Sequence, residues 1–264
     1  MKKILIFLVV CILTTSCAFG AAVSKKVSKA AIDLEFETKD GFLLTSKLYL
    51  PSEKRKKYPL VVLMHSIGYS SSYWLDMQAK YNQAGFAVLA VDFRGHGKSI
   101  YTASFKKTHW LYMSDKVFMK YPDDILDLLV YVSENYKNIS ASNLVFVGSD
   151  IGANTAILAA KKLKTKPAAL VLISPSEKFK GLYTPIALAD LGNTPILVVV
   201  SKKDRYSNNQ AYYLKKFAQG KYEMKIYPYG GVGMLLLKVN PHATLDIVNW
   251  TVNQFNSKVG QVKK

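Results

Sequence analysis

One stretch near the middle of the chain limits the folds that the sequence can adopt. Residues 145–154 read Val-Phe-Val-Gly-Ser-Asp-Ile-Gly-Ala-Asn, so an apolar run ends at Gly148 and a helix-like apolar pattern begins at Ile151. The small residues around Asp150 allow a sharp bend between a strand and a helix. Free N–H groups at the start of a helix favour an anion. The sequence therefore predicts a bend that presents the Asp150 carboxylate in a site.

The first 20 residues are typical of an export signal. Two lysines precede an apolar run that is too short to span a membrane, and small residues then fit a signal-peptidase site before Ala21. In an alternative interpretation, Cys17 is the acylated cysteine of a membrane-anchored lipoprotein. We therefore expect an exported protein, periplasmic or extracellular, in which residues 21–264 form a single domain.

Charge and cysteine content limit the expected partners. The formal net charge is +18, and most of the basic residues are lysines. Both cysteines, Cys11 and Cys17, lie in the export signal, so the mature chain has neither a disulfide nor a thiol nucleophile. An exported chain without a nucleic-acid motif is not expected to bind nucleic acid. Two interpretations of the basic charge stay open, a solvated surface and peripheral contact with an anionic envelope surface.

Apolar runs alternate with helical patterns along the rest of the chain. Residues 32–37 and 42–50 predict an antiparallel hairpin around a turn. Further strands are predicted at 60–64, 86–91, 169–173, 195–200 and 223–227, the first two of them buried. Helices are predicted between them, at 71–84, from Pro122 onward, at 206–217 and at 245–255. The pattern predicts an α/β protein whose mostly parallel central sheet has helices on both faces. A polar, aromatic stretch at 100–120 predicts a small cap excursion over the site.

Four motifs appear in an order that one family shares. Residues 38–41 read Thr-Lys-Asp-Gly, 63–66 read Leu-Met-His-Ser, 92–99 read Asp-Phe-Arg-Gly-His-Gly-Lys-Ser, and 148–152 read Gly-Ser-Asp-Ile-Gly. With these motifs the chain resembles α/β-hydrolases of the bacterial dienelactone-hydrolase and esterase type, over nearly the whole mature sequence. The resemblance implies the α/β-hydrolase fold, with the bend as its nucleophile elbow.

The same resemblance implies a catalytic triad in the order nucleophile, acid, histidine. Asp150 replaces serine at the nucleophile position, Asp204 stands at the acid position, and Val232 fills the histidine position. The backbone N–H groups of Ile67 and Ile151 are the expected oxyanion hole. A carboxylate at position 150 is able to fold back into that hole. Because two triad positions are substituted, whether the chain is an active enzyme stays open.

Three interpretations of the site follow. In the first, the protein is a catalytically impaired hydrolase that binds a small molecule or an ester-like substrate. In the second, Asp150 is the nucleophile, as in haloalkane dehalogenases and epoxide hydrolases, and a relocated base activates water, with His65, His109 and His242 as candidates. In the third, Asp150 and Asp204 form a metal or acid–base pair, although two carboxylates without His or Cys make a poor ligand set. We favour the first interpretation, and we expect no metal and no cofactor.

Overall fold

The computed structural model describes residues 31–262. The export signal predicted for residues 1–20, with its alternative at Cys17, lies outside the described residues. No helix in the described part of the chain has the length and apolar character that crossing a bilayer requires.

The strands form one large sheet and a separate small hairpin. They are β1 (Ile32–Glu37), β2 (Phe42–Tyr49), β3 (Tyr58–Met64), β4 (Ala87–Val91), β5 (Tyr101–Thr102), β6 (Ile139–Ser149), β7 (Ala169–Ile173), β8 (Lys178–Phe179), β9 (Leu182–Tyr183), β10 (Ile196–Ser201) and β11 (Tyr222–Tyr227). The large sheet has the order β1-β2-β4-β3-β6-β7-β10-β11, with β5 beside β2, while β8 and β9 pair only with each other. All neighbours from β4 to β11 run parallel, and β1–β2 is an antiparallel hairpin. The predicted sheet and its opening hairpin are confirmed.

Helices connect the strands. They are α1 (Leu75–Gln83), α2 (Asp115–Phe118), α3 (Tyr121–Asn135), α4 (Ile151–Lys162), α5 (Pro185–Ala189), α6 (Arg205–Lys215), α7 (Met234–Val239) and α8 (Pro241–Val262). Short 3-10 helices lie at Ser71–Trp74 and Trp110–Tyr112. The helix predicted at 71–84 therefore begins as a 3-10 turn.

The sheet is covered on both faces because its central strands are apolar throughout. In β3, Leu60 and Val62 belong to the core that α3, α4 and α6 cover, whereas Val61 and Leu63 belong to the core under α1 and α8. Successive side chains of a strand point to opposite faces, so a continuous apolar run supplies both cores. Since the parallel strands all end at the same edge, their connections bring the functional residues together there.

Candidate active site

The bend predicted from the sequence lies between β6 and α4. Asp150 has φ of 55° and ψ of −115°, a backbone conformation that residues with a side chain rarely adopt. A Cβ at Gly148 would lie 2.1 Å from the carbonyl oxygen of Gly152, and one at Gly152 would lie 2.2 Å from the carbonyl oxygen of Met64. Only glycine fits at both positions, so the two glycines allow the strand and helix to meet at this angle.

The Asp150 side chain turns toward the backbone N–H groups expected to form the oxyanion hole. Its Oδ2 accepts a hydrogen bond from the Ile67 N–H at 3.1 Å. Burial raises the pKa of Asp150 to about 6, the N–H groups of Ile67 and Ile151 act in the opposite direction, and the charge of Asp204 adds to the increase. The Asp150 carboxylate therefore occupies the Ile67 N–H, a donor that would otherwise bind a substrate oxygen.

Asp204 follows β10 and begins α6. Its Oδ1 accepts a hydrogen bond from the Ser207 N–H at 3.1 Å, so the side chain caps the helix. Its Oδ2 is buried and has no hydrogen-bond partner among the described residues. In a complete triad, an oxygen of the acid accepts a hydrogen bond from the histidine. The geometry leaves one oxygen of Asp204 available for such a donor.

The loop that follows β11 carries Val232, whose side chain is 48% exposed. Its backbone packs closely on the bend at the next residue, Gly233. A Cβ at Gly233 would lie 2.2 Å from Ser66 Oγ and 3.2 Å from Asp150 Cβ, and its φ is +58°. The loop therefore reaches the bend with its backbone and supplies no imidazole there.

Two buried serines fix this loop against the bend. Ser66 Oγ lies 2.9 Å from Ser149 Oγ and accepts a hydrogen bond from the Met234 N–H at 3.2 Å. Both serines are nearly inaccessible to solvent. Because a serine needs a base to become a strong nucleophile, this pair has a structural role in the chain as it stands.

Two further serines at strand ends hold the same loop. The Gly233 N–H donates to Ser174 Oγ at 2.9 Å, and Ser201 Oγ donates to the Gly230 carbonyl at 2.9 Å. We call Ser66, Ser149, Ser174 and Ser201 together the serine seat of this loop, and this cluster was not predicted from the sequence. The available signal was a serine at or just after the end of β3, β6, β7 and β10, four strands that lie side by side.

Of the candidate bases, His65 is fully buried beneath the site. Its Nε2 accepts a hydrogen bond from the Phe93 N–H at 3.1 Å, so its Nδ1 carries the proton and donates to the Ser66 carbonyl at 2.7 Å. Burial lowers the pKa of His65 to about 4. Both nitrogens are used by the backbone, so His65 connects the loops after β3 and β4.

The other two candidates, His109 and His242, are exposed. The Nδ1 of His109 accepts a hydrogen bond from the Leu111 N–H at 3.3 Å within the 100–120 excursion. Among the described side chains, no imidazole is hydrogen-bonded to Asp150 or Asp204. The structure therefore places none of the proposed bases in contact with the carboxylate that they would serve.

The 100–120 excursion lies next to the loop that contributes Ile67. The Trp110 ring stacks on His96 with centroids 5.6 Å apart and an interplanar angle of 9°. A Cβ at Gly68 would lie 3.2 Å from the same indole ring. The excursion is therefore packed on the loop after β3, beside one of the two expected oxyanion donors.

The described residues offer no obvious metal centre. No group of three or more His, Cys, Asp or Glu side chains is arranged to hold a metal ion in residues 31–262. The third interpretation, a metal held by Asp150 and Asp204, finds no further ligand of these types at the site.

Comparison with known proteins assigns the chain to a family. The family described as Serine aminopeptidase, S33 matches residues 55–191, just over half of the chain. The matched segment contains Asp150, whereas Asp204 and Val232 lie beyond it. No curated protein matches the sequence.

Solved structures share the fold at low sequence identity. A dienelactone hydrolase from Anabaena variabilis is 14% identical, with a TM-score of 0.62, over 86% of this chain and 97% of that one. A thermostable carboxyl esterase from Bacillus coagulans is 16% identical, with a TM-score of 0.67, over 86% and 98%. A lipase in its open form is 15% identical, with a TM-score of 0.67, over 86% and 99%. Together with the family match and the strand–bend–helix geometry at Asp150, these likenesses lead to one conclusion: the chain belongs to the α/β-hydrolase family described as Serine aminopeptidase, S33.

Proposed function

We propose that the protein is a catalytically impaired α/β-hydrolase that binds a small molecule at the Asp150 site without turning over esters. One observation carries the proposal: the Asp150 carboxylate accepts the hydrogen bond of the Ile67 N–H at 3.1 Å. Such N–H groups stabilise the oxyanion of an ester-hydrolysis transition state in active relatives of this fold.

The bound carboxylate opposes ester hydrolysis in two ways. A substrate carbonyl would have to displace a charge-assisted hydrogen bond, which is stronger than the bond that a neutral carbonyl forms in return. The negative charge of Asp150 would also repel the oxyanion that develops in the transition state. Both effects raise the barrier for acyl transfer at this site.

Proton transfer is the second missing function. An ester hydrolase needs a base that activates its nucleophile and later protonates the leaving group. Val232 can do neither, and His65 donates and accepts within the backbone of its own loops. What remains is a partly accessible carboxylate beside a second acid, in a loop cluster held by buried serines, which supports binding rather than turnover.

A turnover assay combined with a binding assay tests the proposal. The purified protein is incubated with short nitrophenyl esters, and the Asp150→Asn variant serves as the matched control. We expect no release of nitrophenol above that of the control. We also expect that small esters or acids, by binding, raise the unfolding temperature of the unmodified protein. Steady hydrolysis that the Asp150→Asn substitution abolishes would contradict the proposal.

A second candidate function is nucleophilic attack by Asp150 on a haloalkane. Ile67 holds Oδ2 of Asp150, which leaves Oδ1 as the oxygen able to attack an electrophilic carbon. When Oδ1 attacks the carbon that carries the halogen, a carbon–oxygen bond forms, the carbon–halogen bond breaks, and halide leaves with the bonding electrons. Without a base to activate water, the alkyl ester would persist after a single event.

Intact-mass measurement separates the two candidate functions. Incubation with a bromoalkane should leave the mass unchanged if the protein only binds small molecules. A single added alkyl group that Asp150→Asn prevents would support the nucleophile, and continuous release of bromide would show that a base operates.

We also propose that the protein is exported and stays in the periplasm, the extracellular space or the outer surface of a membrane. The proposal is based on the pattern of residues 1–20. Mass spectrometry of cell fractions should find a chain that begins at Ala21 or at an acylated Cys17. A mature species that retains Met1 would contradict export.

A further inference from the structure

We propose that the loops around Asp150 form a docking surface for a bilayer of anionic phospholipid. These loops follow the carboxyl ends of the parallel strands, and we call them together the carboxyl edge. The carboxyl edge comprises residues 65–75, 92–120, 174–186, 202–206 and 228–235. The proposal does not depend on whether Asp150 binds or reacts.

Large apolar side chains are exposed mainly at the carboxyl edge. Among the side chains that the structure describes, 13 of the 18 exposed large hydrophobic residues lie there. They are Tyr73, Leu75, Tyr101, Phe105, Leu111, Tyr112, Met119, Tyr183, Ile186, Tyr206, Tyr229, Val232 and Leu235. Isolated exposed apolar residues need no explanation, but a concentration of them around one site marks an interaction surface.

The loops of the carboxyl edge contact one another, so the exposed side chains are carried by one connected group of loops. The loop after β3 packs against the 100–120 excursion, because a Cβ at Gly68 would lie 3.2 Å from the Trp110 ring. The excursion packs against the β8–β9 hairpin, because a Cβ at Gly181 would lie 2.9 Å from Met119. The serine seat joins the loop after β11 to the loop after β3.

The charge of this surface is strongly positive. The exposed charged residues of the carboxyl edge are Lys98, Lys106, Lys107, Lys116, Lys120, Lys178, Lys202, Lys203 and Arg205 on the basic side and Asp115 on the acidic side. Of these nine basic residues, Lys120 pairs with Asp40, and the other eight form no ion pair with a described residue. Elsewhere many lysines are paired, for example Lys80 with Asp76, Lys161 with Asp190 and Lys225 with Asp246.

The combination of side chains favours a lipid surface over a soluble anion. Tyrosine rings are enriched at the level of lipid headgroups, and lysine stems lie along apolar surface while the ammonium group reaches the phosphates. At the opposite edge of the sheet, the loop at 51–57 exposes Lys54, Lys56 and Lys57 but no large hydrophobic residue. An anionic polymer would be attracted to either edge, whereas a bilayer would select the edge that has both features.

Hydrogen–deuterium exchange of the full chain tests the location of the contact. Vesicles of phosphatidylglycerol and phosphatidylcholine should slow exchange in segments 105–112 and 228–235 and leave segment 51–57 unchanged. Vesicles of phosphatidylcholine alone should give weak or no protection. Sedimentation with the anionic vesicles without protection of the two segments would place the contact elsewhere and overturn the proposal.

Paired variants test whether both charge and apolar contact are needed. Lys106→Gln with Lys107→Gln, and separately Leu111→Ser with Tyr112→Ser, should raise the lipid concentration for half-maximal protection of segment 228–235 by roughly tenfold or more. The matched controls Lys54→Gln with Lys56→Gln, and Val130→Ser with Tyr212→Ser, should leave it within about twofold. Equal effects of edge and control variants would indicate diffuse attraction, and an unchanged Leu111→Ser, Tyr112→Ser variant would exclude apolar docking; either result overturns the proposal.

Discussion

The backbone N–H of Ile67 donates a hydrogen bond to Oδ2 of Asp150 over 3.1 Å, so the loop after β3 is joined to the bend after β6. In an active hydrolase of this fold, the two oxyanion donors are free until a substrate oxygen arrives. Here one of them binds an oxygen of the protein itself. The serine-to-aspartate substitution therefore changes the occupant of the hole as well as the nucleophile.

The carboxylate in the hole gives the first prediction, a pH-dependent stability difference between the unmodified protein and Asp150→Asn. The folded-state pKa of Asp150 is raised to about 6 from 3.8, mainly by burial, so the native state binds the proton more tightly than the unfolded state. Its contribution to stability is present below about pH 4 and is lost as pH rises to about 6, by roughly 2–3 kcal/mol. The Asp150→Asn variant does not lose this free energy as pH rises, because asparagine does not titrate.

Denaturant unfolding from about pH 4 to about pH 8 measures the free energy of unfolding of both proteins. Titrating groups that do not interact with Asp150, such as Asp124, contribute equally to both curves, so the difference reports Asp150 together with its charge interaction with Asp204. The variant should gain relative stability as pH rises to about 6. Curves that run parallel across this range would contradict the assigned environment of Asp150.

The second prediction concerns Gly233, whose φ is +58° and whose Cβ would lie 2.2 Å from Ser66 Oγ. Gly233→Ala should combine backbone strain with a clash against the serine seat and cost about 3 kcal/mol or more in free energy of unfolding. Gly192→Ala is the matched control, because Gly192 has φ of +55° and no atom within 4 Å of its Cβ position. The Gly192→Ala substitution should lower the free energy of unfolding by only about 1 kcal/mol. Equal losses would mean that the close contact at Gly233 is relaxed at little cost.

The third prediction concerns Arg94, which is 4% exposed and joins two acidic side chains. Its Nε and Nη2 donate to both oxygens of the buried Asp124 at 2.6 Å each, and its Nη1 and Nη2 donate to Asp40 at 2.7 Å each. Arg94→Met would leave Asp124 buried without its partner, so we expect a loss of about 3–5 kcal/mol in unfolding free energy. Lys80→Met removes the exposed pair with Asp76 and should cost less than about 1 kcal/mol. A similar loss in both variants would show that the Arg94 network adds little.

Most of the fold could be predicted from local pattern. The bounds of β1 and β7 agree with the predicted 32–37 and 169–173, because hairpin alternation and continuous apolar runs are strong signals. The short elements α5, α7 and β8–β9 were missed because five or six residues of helix, or two of strand, show no measurable period. They pack on longer helices, α5 and the β8–β9 hairpin on α4 and α7 on α8, so tertiary contacts rather than local propensity set their positions.

The site could be predicted only in part. The bend at Asp150 follows from its flanking glycines, and the resemblance singled out Asp204 and Val232. The resemblance also pointed to Ile67 and Ile151 as the donors that a folded-back Asp150 would meet, whereas spacing alone could not, since Ile67 lies 83 residues away along the chain. The use of both nitrogens of His65 by backbone groups likewise depends on how the loops after β3 and β4 fold against each other.

A rebuilt triad provides the fourth prediction and the most direct test. Asp150→Ser frees the Ile67 N–H, Val232→His supplies a base, and the buried Oδ2 of Asp204, which has no partner among the described residues, can accept the imidazole N–H. Each single variant should stay inactive on esters, because members of a triad act as a unit. Asp204→Asn, which retains the helix cap, should abolish any gain in the double variant.

The deciding measurement is the steady rate of nitrophenol release from a short acyl ester, followed over many turnovers for the unmodified protein, both single variants and the double variant. Our account predicts release at the uncatalysed rate from all of them except the Asp150→Ser, Val232→His double variant. Sustained turnover by the unmodified protein would contradict the account directly, since it would mean that Asp150 is not an obstacle in the oxyanion hole.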